Sequence, residues 1–174
     1  KPGPGVEEDK CYHPSNYDEK FRGPISFREA LAQSVNLPAV KVLYLSGLSN
    51  ALNFAKRVGI KTLNDPERYG LTLVLGGGEV RLLELIGAYG AFANDGVWNE
   101  PTPILKVTDA SGKTLEEYEN RGAKAMEPQI AREISDVLSD NEARAPAFGI
   151  QSALYFQERP VAVKTGTTND YRDA

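Results

Sequence analysis

Two short clusters carry the residue types that could move protons. Ser34-Val35-Asn36 offers a hydroxyl and a carboxamide two positions apart. Lys164-Thr165-Gly166, near the far end of the chain, offers an amine, a second hydroxyl and a residue without a Cβ. A serine used as a nucleophile needs a base. The chain has one histidine, His13, which excludes any two-histidine metal motif and leaves a single possible imidazole base, so the proton chemistry of an enzyme here is expected to run on another group. Each cluster alone has a structural explanation. Ser-x-Asn between two helices can simply cap them, and Lys-Thr-Gly can simply end a strand.

Other motifs fail on their own terms. Gly112-Lys113-Thr114 matches the tail of a phosphate-binding loop, but the glycine needed five positions earlier is Val107. Gly76-Gly77-Gly78 does not complete a dinucleotide fingerprint, because position 81 is Arg. These glycines read instead as unusual backbone before a helix. Glu116-Glu117-Tyr118-Glu119 reads as a solvated strand end. One cysteine, Cys11, makes neither an internal disulfide nor a Cys/His zinc site, so no metal and no cofactor is implied.

The elements that must position the two clusters follow from local pattern. Residues 1–23 form a loop-rich lead-in, broken by Pro2, Gly3, Pro4 and Gly5. Ser26 and Glu29 make a capping box that predicts a short helix to about Gln33. Asn36-Leu37-Pro38 predicts a second helix start, with Asn36 near the N-cap, running to Gly47. A third helix is predicted from Ser49 to before Gly59. The strongest apolar period, Leu82 to Phe92, predicts a helix over 79–96. Residues 104–118 predict a hairpin turning at Ala110-Ser111-Gly112-Lys113. Pro128 opens another helix, residues 141–159 read as irregular, and Val161-Ala162-Val163 predicts a strand leading into Lys164. Helices, hairpin, helix and strand in that order predict an α+β domain, mainly helical over 24–159 with the Lys-Thr-Gly strand over 160–174.

With 174 residues, 41% hydrophobic and 25% charged, the chain has the length and balance of one globular domain. A net charge of −4 is a poor footprint for nucleic acid. No apolar run is long enough to span a membrane, and the N-terminus has no signal-peptide core.

Order and flanking residues then add a resemblance. S-x-x-K, S-D-N and K-T-G form the motif set of class A β-lactamases and penicillin-binding proteins. Residues 27–40 (FREALAQSVNLPAV) and 163–174 (VKTGTTNDYRDA) closely resemble the matching stretches of class A penicillin-binding proteins. The helix ending Ala93-Asn94-Asp95-Gly96 and the lead-in Asn16-Tyr17-Asp18 are similar as well. The resemblance runs through nearly the whole chain in the right order. It implies part of a β-lactamase/transpeptidase-like fold, an antiparallel sheet packed between helices, and a peptidoglycan transpeptidase domain. In that family a serine attacks the D-Ala–D-Ala bond of a stem peptide, a second stem's amine resolves the acyl-enzyme, and β-lactams acylate the same serine.

The roles implied by the resemblance suit the residue types. Ser34 relays a proton toward the leaving or incoming amine. Asn36 grips the substrate backbone. Lys164 places positive charge beside Ser34 and draws a substrate carboxylate. The hydroxyls of Thr165 and Thr167 bind that carboxylate. Gly166 lets the substrate lie along the strand edge. A backbone N–H near Thr167 serves the oxyanion hole.

One departure is large. No serine of the chain is followed three positions on by lysine, so S-x-x-K is absent. The expectation is therefore a domain incomplete at both ends. Its nucleophile, glycosyltransferase domain and membrane anchor would lie upstream, and the protein would sit on the outer face of the bacterial cytoplasmic membrane. Alone, the chain is expected to be inactive toward stem peptides and β-lactams, and to self-associate through uncovered faces. Two alternatives stand beside this reading: a non-catalytic binding or structural module that keeps the fold, and an unrelated enzyme using carboxylates and lysine.

Overall fold

Helix α1 (Phe27–Ala32) begins where Ser26 and Glu29 bond each other's backbone N–H groups, the reciprocal capping box expected from the sequence. The structure, a computed structural model, describes residues 12–166. Cys11, Thr167 and the rest of the expected Lys-Thr-Gly strand past 166 lie outside them.

Helix α2 (Asn36–Ser46) follows after a three-residue corner. Its N-cap is Val35 and not Asn36, so the start has no side-chain cap of its own. Gly47, with φ +82°, ends α2 and starts α3 (Leu48–Arg57). Two elements that the sequence did not announce come next. A one-turn helix α4 (Pro66–Tyr69) runs into a 3₁₀ helix, Gly70–Leu75, that packs on α2. Gly76 closes it at φ +95°, the unusual backbone expected of the glycine triplet.

Helix α5 (Leu82–Ala93) is shorter than the predicted 79–96 at both ends. Its small residues Ala88 and Ala91 are buried against Ala131 of α6 (Pro128–Ser139), and Val58, Ala125 and Met126 complete this cluster. Two alanines on α5 and one on α6 let the helix axes come close. Phe54, Ile60, Phe92 and Trp98 cover the rim. A second cluster, Leu52, Leu63 and Tyr69, joins α3 to α4, with Ile60 shared between the two.

The sheet content is small. β1 (Val97–Trp98) pairs antiparallel with β4 (Ala123–Lys124), neither of which the sequence announced. Gly96, at φ +83°, makes this crossing: a Cβ there would collide with the Met126 carbonyl. β2 (Lys106–Thr108) pairs with β3 (Thr114–Glu117), the predicted hairpin, with a register break at Val107/Thr108. Asp109 Oδ1 accepts from the N–H groups of Ser111 and Lys113, which fixes the turn. The Gly-Lys-Thr sequence is therefore hairpin. Its acidic neighbours are exposed and ion-paired, Glu117 to Lys106 and Glu119 to Arg121.

Two local expectations are corrected. Residues 141–159 are not irregular throughout, since α7 (Asn141–Phe148) occupies the first half. Asp140 caps it by accepting from Ala143 N at 2.8 Å, and the helix runs through Pro146 to Phe148. Residues 161–163 form no strand among the described residues. A strand is defined by a ladder partner, and this segment has instead one backbone bond, from Val163 N to the carbonyl of Leu138 at 3.0 Å. Helices and two small antiparallel ribbons make the α+β class expected from element order.

Candidate active site

Ser34 stands at the C-terminal corner of α1. The Val35 N–H reaches back to the Ala30 carbonyl (2.9 Å) and the Ser34 N–H to Leu31 (3.2 Å). These are the two bonds of a Schellman turn, and Ser34 occupies the position that glycine ordinarily takes. Its φ is +57°. A side chain in this left-handed region costs roughly 1–2 kcal/mol relative to the right-handed one. Strain of this kind is retained where surrounding structure over-determines the residue, as at functional sites.

What the turn achieves is the aim of one hydroxyl. Lys164 Nζ donates to Ser34 Oγ at 2.6 Å and to its own neighbour, the Thr165 carbonyl, at 2.8 Å. Both side chains are half-buried. Burial pushes the Lys164 pKa below the ordinary lysine value. The sign for stability follows: the unfolded chain holds this proton more tightly, so Lys164 contributes more to stability as pH rises from its depressed value toward that of a free lysine. Charge-assisted donation makes this bond stronger than a neutral one.

The start of α2 is held from outside. Asn16, itself buried, accepts from the Leu37 N–H through Oδ1 at 3.1 Å. Its Nδ2 donates to the Lys20 carbonyl. Asn36 Nδ2 donates to the Ser15 carbonyl at 3.1 Å. The lead-in thus supplies the cap that Val35 cannot.

The α6–α7 corner braces the other side. Gln33 Nε2 donates to the Ala143 carbonyl at 3.0 Å, and Gln33 Oε1 accepts from Arg22 at 2.6 Å. Arg28 of α1 pairs with Asp136 and, at 2.9 Å, with Asp140. Asp140 is held below the usual carboxylate range, first by the Ala143 N–H and then by the Arg28 guanidinium.

Of the sequence candidates, the structure brings Ser34 and Lys164 together. Asn36 lies in the first turn of α2 with its amide on the lead-in. Thr165 is half-buried and gives its carbonyl to Lys164. Gly166 is exposed, and a Cβ there would meet no atom within 4 Å. Thr167 lies outside the described residues. Sequence reasoning missed Asn16 and Gln33 as supports of the site. Asn16 lies in a segment that reads as loop, and Gln33 at the end of a helix. No cluster of metal-ligating side chains occurs among the described residues.

Comparison with known proteins gives the arrangement a setting. The family described as penicillin binding protein transpeptidase domain matches residues 3–174. Penicillin-binding protein 1A of Clostridium acetobutylicum is 35% identical over 165 residues, covering 93% of this chain and 20% of that protein. Penicillin-binding protein 1A of Aquifex aeolicus is 36% identical over 169 residues, covering 92% of this chain and 21% of that protein. The chain therefore spans about a fifth of the length of these relatives. Among solved structures, penicillin-binding protein A from M. tuberculosis, as an imipenem acyl-enzyme complex, superposes with a TM-score of 0.73 at 18% identity, covering 97% of this chain and 41% of that one. Penicillin-binding protein 1A from Haemophilus influenzae gives a TM-score of 0.66 at 23% identity, covering 82% of this chain and 25% of that one. These likenesses show a shared fold across a wide sequence distance. The family match covers nearly every residue, and with it this chain belongs to the penicillin-binding protein transpeptidase family.

Proposed function

We propose that the chain is part of a serine D,D-transpeptidase that cross-links peptidoglycan stem peptides ending in D-Ala–D-Ala, and that β-lactams acylate the same site. The observation that carries this is the 2.6 Å bond between Lys164 Nζ and Ser34 Oγ, formed by two motifs 130 residues apart. In this reading Ser34 passes a proton between the acylated serine's surroundings and the leaving or incoming amine. Lys164 polarises the Ser34 hydroxyl and attracts the substrate's terminal carboxylate. Thr165 and Thr167 complete that carboxylate site. Asn36 turns its amide to the substrate backbone once the Ser15 contact is exchanged for it. Open space at Gly166 leaves room for an extended substrate beside this segment.

The attacking serine and its S-x-x-K lysine belong, in this reading, to sequence outside this chain, as do the membrane anchor and any glycosyltransferase domain. The placement follows at the outer face of a bacterial cytoplasmic membrane. No helix among the described residues is long and apolar enough to cross a membrane. D-Ala–D-Ala carboxypeptidase activity is the same acyl-enzyme resolved by water.

A second reading, a binding or structural module without catalysis, is favoured by one observation, the absence of S-x-x-K. Fluorescent penicillin separates the two. The chain alone is expected to form no covalent adduct. A protein extended upstream is expected to label, and Lys164→Ala in it to slow labelling by at least about tenfold, in line with loss of one charge-assisted contact. Stable labelling of the chain alone would overturn the account of the nucleophile. No labelling of the extended protein would favour the binding module.

A further inference from the structure

We propose that Arg144 is a positioning residue for the Ser34–Lys164 pair, holding from α7 the carbonyl on which the Lys164 segment hangs. The Leu138 carbonyl lies in the last turn of α6, where carbonyls have no intrahelical partner. It accepts twice, from Arg144 Nη1 at 2.9 Å and from Val163 N at 3.0 Å. Val163 immediately precedes Lys164. Without a ladder partner among the described residues, the backbone of segment 161–166 is tied to the helices by this bond, beside the side-chain bond from Lys164 to Ser34.

Arg144 is an unusual occupant. It is 4% exposed, no carboxylate lies within ion-pair distance among the described residues, and its Nε has no hydrogen-bond partner. A buried guanidinium in that state is poor stabilisation, since a well-packed apolar side chain would serve the core better. Its one short bond goes to Leu138, with a longer one of 3.5 Å to Asn141 Oδ1.

The same corner holds the other motif. Gln33, the residue before Ser34, donates to the carbonyl of Ala143, the residue before Arg144. Both halves of the pair therefore hang by their preceding residues from the stretch 138–144. That stretch sets the gap between Ser34 Oγ and Lys164 Nζ. Arg144 touches neither group and acts through Leu138.

The inference rests on the transpeptidase reading for its catalytic consequence, though not for its geometry. Brief acetylation with acetic anhydride, quantified lysine by lysine by mass spectrometry, reads the geometry. The exposed Lys41 serves as the internal reference. Arg144→Met is expected to raise the Lys164/Lys41 ratio by about tenfold, the scale of one lost charged hydrogen bond. Arg144→Lys, which can still donate to Leu138, is expected to restore most of the protection. An unchanged ratio in Arg144→Met, or equal loss in both variants, would overturn the inference. Should Arg144→Met unfold, Arg144→Gln is read by the same criterion. In an extended, penicillin-labelling protein, Arg144→Met is expected to slow acylation without weakening the initial drug complex. If Lys164→Ala there acylates at the wild-type rate, the catalytic reading falls while the protection ratio still decides the placement.

Discussion

Ser34 meets two demands that pull in different directions. The turn after α1 favours glycine, whereas the bond to Lys164 needs a hydroxyl. The two can be separated by substitution. Ser34→Ala and Ser34→Gly both lose the hydroxyl, but only glycine relaxes the left-handed backbone at φ +57°. Ser34→Gly is expected to be more stable than Ser34→Ala by about 1 kcal/mol, less a few tenths for the added freedom of the unfolded chain. Urea titration of the two variants checks this, and equal midpoints would mean that the turn carries no strain. Both variants are expected to abolish acylation in an extended protein. The two clusters were legible in the sequence because each holds its functional groups within three consecutive residues. The supports were not. Asn16, Gln33 and Arg144 reach backbone atoms 21, 110 and 6 positions away through side-chain hydrogen bonds, and such bonds leave no periodicity to read.

At the scale of elements, caps decided what could be read. α1 and α6 announce themselves by a capping box and by Pro128, and they form where expected. α7 carries a weaker signal, Asp140 followed by a sequence with Pro146 inside it, and reads as loop. Asp140 both caps α7 and pairs with Arg28. Asp140→Ala is expected to cost about 1–2 kcal/mol through the lost cap alone. Asp140→Asn keeps a capping oxygen and is expected to cost less than half of that. Thermal melts at low and high salt separate the neutral capping bond from the charge contributions, since the Arg28 pair and the carboxylate's attraction to the helix dipole are screened. Equal losses in the two variants would show that the ion pair, not the cap, is the stabilising feature. The carboxylate is held below its usual range by the Ala143 N–H and by Arg28. Its contribution is therefore present at neutral pH and is lost as pH falls through the depressed value. The predicted strand at 161–163 failed for a different reason. A strand needs a neighbour, and β-branched residues report only readiness to pair.

For the whole molecule, the fold class was legible from element order, while the shape of the surface was not. α5 is apolar nearly all round, yet Leu82 is 73% exposed and Ile86 59% exposed, with Leu83 beside them. On α2, Tyr44 and Leu45 are also open, at 72% and 81%. Helices apolar on every side are ordinarily buried on every side. Such a surface, on a chain that spans about a fifth of its relatives, is expected to drive association of the chain with itself. Sedimentation velocity should show concentration-dependent growth in mass, and the double substitution Leu82→Lys with Ile86→Glu should suppress it. A monodisperse, stable monomer would contradict this reading.

The Ser34–Lys164 bond closes a loop of 130 residues. Closing so long a loop costs ~4 kcal/mol in chain entropy by a logarithmic loop-length estimate. A single hydrogen bond does not repay that, so the bond is expected to depend on the docking of α6 and α7 on α1. During synthesis at about 5–20 residues per second, Ser34 waits roughly 7–26 s before Lys164 is even added. The helices of the first half can be complete long before there is a site. The bond is thus a report that the last part of the chain has found its place.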